Sequence, residues 1–136
     1  MKGLISRQNT VANHVLGSES PCSVFFTAFG EDLIENYSRV LEESGLHPVY
    51  AMSHREDDDS MDFFVADTVW REGDFDRIIV AAANDELCPV LFVNFSVCGV
   101  YAPYDGGADL FFRSGEEMRL ARDRFRSWMS KREDGW

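Results

Sequence analysis

Tyr104, Asp105 and Asp109 lie within VYAPYDGGADLFF, residues 100–112, a stretch that sets a phenol beside two carboxylates. Such a trio can exchange protons with a bound molecule, provided a pocket shifts the pKa values. The same residue types also build a tight hairpin. Asp-Gly and Gly-Gly supply the positive φ angles of a short connection, and Pro103 fixes its entry. On that reading Tyr104 and Asp105 stand at an exposed tip and Asp109 begins the next strand. Turn chemistry alone accounts for the motif. A second cluster is HREDDDSMD, residues 54–62, in which Glu56, Asp57, Asp58 and Asp59 run consecutively and Asp62 follows. Carboxylate oxygens are ligands for hard cations. The calcium-loop pattern fails, however, because Met61 and Asp62 stand where Asp or Asn and then Gly are required. Crowded like charges then read as a solvated loop, or as a docking surface for a cationic patch on another protein. The expected partner-binding residues are therefore Glu56, Asp57, Asp58, Asp59 and Asp62, with Tyr104 and Asp105 at the hairpin.

Other chemistries find little support. Cys22, Cys88 and Cys98 have no C-x-x-C spacing, and an odd count argues against a disulfide framework. All three lie in or beside apolar runs and read as small buried hydrophobes. His14, His47 and His54 have no neighbours at ligand spacing. Nucleophile-elbow, Walker A and dinucleotide fingerprints are missing from the sequence. The expectation is a protein with no catalytic residues, no metal and no cofactor. The N-terminal MKGLISRQNT lacks the apolar core of a signal peptide, and no apolar run matches a membrane span. A reducing cytoplasm is the expected compartment.

Charge is the most unusual global property. The net formal charge is −11, beyond the magnitude of roughly 2–8 usual for a small domain. Residues 1–112 carry six basic and nineteen acidic residues, whereas residues 113–136 carry seven and five. Such a body repels nucleic acid and anionic membrane and attracts basic partners.

The elements that must position these residues follow from periodicity. The 136 residues fit one domain, 1–136. Residues 4–16 have helical spacing. CSVFFTAF, 22–29, reads as a buried strand, with a helix starting near Phe26 as the competing assignment. EDLIENYSRVLEES, 31–44, carries an apolar stripe and stops at Gly45. LHPVYAM and MDFFVAD read as strands joined by the loop SHREDDDS, and Pro48 places the first at a sheet edge. Asp74 is positioned to cap a helix over 75–83, although RIIVAA alone also suits a strand. PVLFVNFS, GVYAP and ADLFF form a meander. Ser114 and Glu117 make a capping box for a last helix that turns Met118, Ala121, Phe125, Trp128 and Met129 inward. The order over 22–96 is β-α-β-β-α-β, the ferredoxin-like pattern. The fold class is α+β: a mostly antiparallel sheet with helices on one face.

The hairpin at 100–112, the charged helix after it and the terminal SWMSKREDGW together resemble small uncharacterised bacterial proteins. Those join a Tyr-Asp-Gly-Gly hairpin to a Trp-containing terminal helix. The resemblance spans residues 92–136 and implies a bacterial α+β domain. It implies no activity and assigns no residues.

These observations together point to an acidic protein-binding inhibitor, of the type of a bacterial immunity protein that neutralises a basic toxin such as a nuclease. Opposite net charges would speed its association. Two alternatives stand beside it. One is a phage-type nucleic-acid mimic, which needs acids spaced along a face like phosphates. The other is a small enzyme using Tyr104, Asp105 and Asp109. A pocket beneath the hairpin would favour the enzyme, and a flat acidic face the inhibitor.

Overall fold

The computed structural model describes residues 2–29, 34–57, 59–104 and 107–126. Helix α1 (Lys2–Leu16) is followed by strand β1 (Ser20–Phe29). A 3-10 turn (Ile34–Tyr37) leads into α2 (Ser38–Glu43), and β2 (Val49–Glu56) and β3 (Asp59–Trp70) form a hairpin. Then come α3 (Asp76–Ala83), β4 (Val90–Asn94), β5 (Gly99–Tyr104), β6 (Gly107–Phe111) and α4 (Gly115–Arg124). The six strands make one antiparallel sheet in the order β2-β3-β1-β4-β5-β6. This is the expected α+β class, and the β-α-β-β-α-β order holds over residues 20–94. Residues 22–29 are strand and 76–83 are helix, which resolves both open assignments.

The sheet buries one face. Along β1 the residues Cys22, Val24, Phe26 and Ala28 are buried while their neighbours are not, a period of two. On the same face Trp70 stacks on Phe75 at 5.4 Å and meets Phe92 and Tyr101 edge-on, and all four rings are buried. Helix α1 lies over β4, β5 and β6, and α3 over β5. Val11, Ala12, Val15 and Leu16 are buried beneath α1. Each large apolar side chain so placed contributes about 1.5–3 kcal/mol, against about 1 kcal/mol for a hydrogen bond. Burial therefore drives the docking, and polar pairs fix where α1 comes to rest. Trp70 Nε1 donates to Asn13 Oδ1 at 2.6 Å, and Tyr101 donates its hydroxyl to Gln8 Oε1. Asn9 donates to Asp76 Oδ1 at 2.7 Å and accepts from the Gly73 amide. Asn94 Nδ2 donates to the Leu16 carbonyl at 2.7 Å, satisfying an acceptor at the end of α1. Burial of the Tyr101 phenol, followed by the Asp76 charge, raises its pKa.

Several expectations are corrected. Residues 34–37 form a 3-10 turn, so the α-helix covers only 38–43, while Gly45 with φ +70° ends it where expected; positions 31–33 lie outside the described residues. The α3 N-cap is Phe75 without a side-chain bond, so Asp74 does not cap it. Only half of the capping box forms. Ser114 Oγ accepts from the Glu117 amide at 3.2 Å, while the Glu117 carboxylate is drawn to Arg113 at 2.8 Å. Ala121 and Phe125 turn inward against Val11, but Met118 is exposed; Trp128 and Met129 lie outside the described residues. Cys98 is exposed on the β4–β5 turn with φ +52°, unlike the buried Cys22 and Cys88.

Candidate functional site

The acidic run is not a loop. β2 and β3 extend through it, so that Glu56 pairs with Asp59 and only positions 57 and 58 connect the strands. Asp57 takes φ +53°, the left-handed conformation that Asp tolerates better than most residues in a two-residue hairpin connection. Asp58 lies outside the described residues. Long pairing wins over charge repulsion here because the acids fall at the tip, where solvent screens them, while Met61, Phe63 and Val65 pair further in.

Residues paired directly across antiparallel strands project from the same face. Three ladders therefore sort the side chains. His54–Met61–Phe29, Met52–Phe63–Thr27 and Val49–Val65–Phe25–Leu91 all share the face opposite the buried core. Glu56 and Asp59 belong to that face too. Asp62 does not. It pairs with Ala28 and Ser53 on the helix side and accepts from Ser53 Oγ at 2.6 Å. The strand alternation thus divides the expected acidic set. Glu56, Asp57 and Asp59 gather at the tip, and Asp62 is turned away from them.

At the tip these three acids line a crevice of about 490 Å³ with Phe29, His54, Ser60 and Met61. His54 Nε2 stands 3.7 Å from Glu56 Oε2. Arg55 is in register with Ser60 and so projects from the other face. The crevice has an apolar floor and a carboxylate rim, which suits the aliphatic stem and charged head of a lysine or arginine. Among the described residues no group of three His, Cys, Asp or Glu side chains is placed to hold a metal ion.

The second expected site lies at the far end of the sheet. Tyr104 closes β5 opposite Gly107, half-buried instead of standing at an exposed tip. Asp109 pairs with Ala102, and both Tyr104 and Asp109 fall on the open face. Asp105 and Gly106 lie outside the described residues. Tyr104 and Asp109 border a groove of about 270 Å³ whose other walls include Asp85, Cys88, Pro89 and Leu91. The acidic crevice is built on β1–β3 and this groove on β4–β6, so the two expected sets form separate sites on one sheet.

Phe29 and Met61 were not among the expected contacts. The signal for Phe29 was the alternation Ser23, Phe25, Thr27, Phe29, visible once CSVFFTAF is treated as a one-sided strand, and Met61 follows only as its cross-strand partner.

A family model described as a domain of unknown function (DUF3885) matches residues 1–133. No curated protein matches the chain, and no solved structure does.

Proposed function

The chain belongs to this family of unknown function, and we propose that it is an acidic binding protein that neutralises a basic protein partner, in the manner of a bacterial immunity protein against a toxin. One observation carries the proposal: the β2–β3 hairpin holds Glu56, Asp57 and Asp59 in solvent around the exposed side chain of Phe29. A rim of carboxylates speeds encounter with a basic surface, and an adjacent apolar contact slows separation. A basic nuclease is a fitting partner, since its active surface must be cationic to hold nucleic acid. The reading places the protein in the reducing cytoplasm, in keeping with three cysteines that form no disulfide.

The test is genetic and biochemical. The reading frame adjacent to this gene is expressed in a laboratory bacterium, with and without this chain. Growth arrest relieved by the chain, and relieved poorly by Glu56→Gln/Asp57→Asn/Asp59→Asn, is the expected result. A non-toxic neighbour, or rescue indifferent to the triple change, counts against the proposal.

The groove beside Tyr104 and Asp109 favours a second reading, a small-ligand or catalytic site. If activity or rescue disappears in a folded Tyr104→Phe or Asp109→Asn protein, that reading replaces the first.

A further inference from the structure

The four described helices all pack on one side of the sheet, and among the described residues nothing covers the other side. That open face is apolar along its length. Phe95 is 67% exposed and meets Phe25 edge-on at 6.2 Å, which sets its ring over the same face. Val49, Met52, Leu91 and Phe111 are exposed there as well. The charged residues of the face are Glu56, Asp59, Asp67 and Asp109, spread from the β2–β3 hairpin to β6. Every one is acidic. No Lys or Arg occupies a described strand position on this side.

We propose that this open sheet face is the docking surface, and that its occupant is a partner protein presenting an apolar patch rimmed by lysine and arginine. The proposal rests on the acidic-inhibitor reading and extends it from the hairpin tip to the whole face. An apolar centre inside a charged rim is the anatomy of a specific interface. Contiguous exposed apolar surface of this kind marks an interaction site. The sign of the rim decides among occupants. A second copy would bring four carboxylates against four, and each chain carries −11, so self-pairing is opposed. Nucleic acid and anionic lipid are opposed by the same charge. Arginine on a partner meets both halves of the surface. Its stem and flat guanidinium lie against Phe29, Phe25 or Phe95, and its donors reach the carboxylates.

Three short fluorescent peptides serve as probes against the full chain: Arg alternating with Trp and Leu, Arg alternating with Ser, and Glu alternating with Trp and Leu. Anisotropy titrations are run on the wild type, on Leu91→Ser/Phe95→Ser and on Asp57→Asn/Asp59→Asn, each checked for folding by its amide spectrum. Sedimentation records the oligomeric state. The expected result is that the Arg-Trp-Leu peptide binds at least about tenfold tighter than the other two, and that each double change weakens it by about tenfold. If the Arg-Ser peptide binds as well and responds only to the aspartate changes, the open-face proposal falls while the acidic hairpin reading stands. If the Glu-Trp-Leu peptide binds best, both fall. A dimer that Leu91→Ser/Phe95→Ser converts to monomer overturns the proposal in favour of a second copy.

Discussion

Gly99→Ala tests how α1 is seated on the sheet. A Cβ at position 99 would lie 2.1 Å from the Val15 carbonyl oxygen and 3.1 Å from its carbon. The first distance is about 0.9 Å inside the closest approach that Cβ atoms make, and the obstacle is helix backbone, which cannot rotate aside. The end of α1 must lift from β5. Val15 and Leu16 then lose packing, and Asn94 loses its 2.7 Å bond to the Leu16 carbonyl. Overpacking costs about 1–3 kcal/mol and an orphaned buried amide about 1–3 kcal/mol. Because one relieves part of the other, the expected loss is about 3 kcal/mol, or about 10 °C in Tm for a domain of this size. Thermal unfolding followed by circular dichroism reads it directly. Gly3→Ala is the control, since a Cβ there meets nothing within 4 Å and helix propensity favours alanine. If Gly99→Ala melts within about 2 °C of wild type, the close approach is wrong.

The remaining predictions concern titratable groups. Cys98 should react at once with a thiol reagent, whereas Cys22 and Cys88 should react only on unfolding; three fast thiols would contradict the burial. Burial pushes the Cys22 thiol up to about 11 from 9.0. The native state therefore holds that proton longer than the unfolded chain, and stability should fall as pH rises between those values. Cys22→Ala should flatten that fall in urea midpoints, and an unchanged slope would refute the assignment. His14 rests edge-on against Phe112 and Phe125, with Arg124 Nη1 3.1 Å from its Nδ1. Burial and then the Arg124 charge lower its pKa from 6.5, outweighing Glu117. The stabilisation is present above pH 6.5 and is lost as pH falls through the folded-state value. Hydrogen-exchange protection of α4 should drop in acid and do so less in His14→Gln; equal protection at both pH values would refute it.

The sheet was legible because strand signals are local. The aromatic run of β1 and the three-strand meander appear where residue type alone places them, and Pro48 directly precedes the edge strand β2. What was less legible depended on partners distant in sequence. HREDDDSMD looks like a loop by charge, yet residues 54–56 pair with 59–61, since β3 is held against β1 from Met61 onward and offers β2 its other edge. Gln8, Asn9 and Asn13 look like the solvent side of a helix. Their partners, Tyr101, Asp76, Gly73 and Trp70, lie more than sixty positions away or nearly so, with separations of 93, 67, 64 and 57. The candidate site shows the same division. The acids announced themselves by composition. Phe29 and Met61 joined them only through the strand register, and the register turned Asp62 to the other side.

The most direct measurement is stopped-flow association of the chain with the basic partner obtained from the adjacent gene, at low and at physiological salt. Wild-type association should exceed the neutral range of roughly 10⁵–10⁶ M⁻¹s⁻¹ at low salt and slow markedly as salt rises. Asp57→Asn/Asp59→Asn should associate more slowly at low salt and show a flatter salt dependence, with dissociation changed far less. An association rate indifferent to salt, or identical in the variant, would contradict the acidic hairpin as the site of first contact.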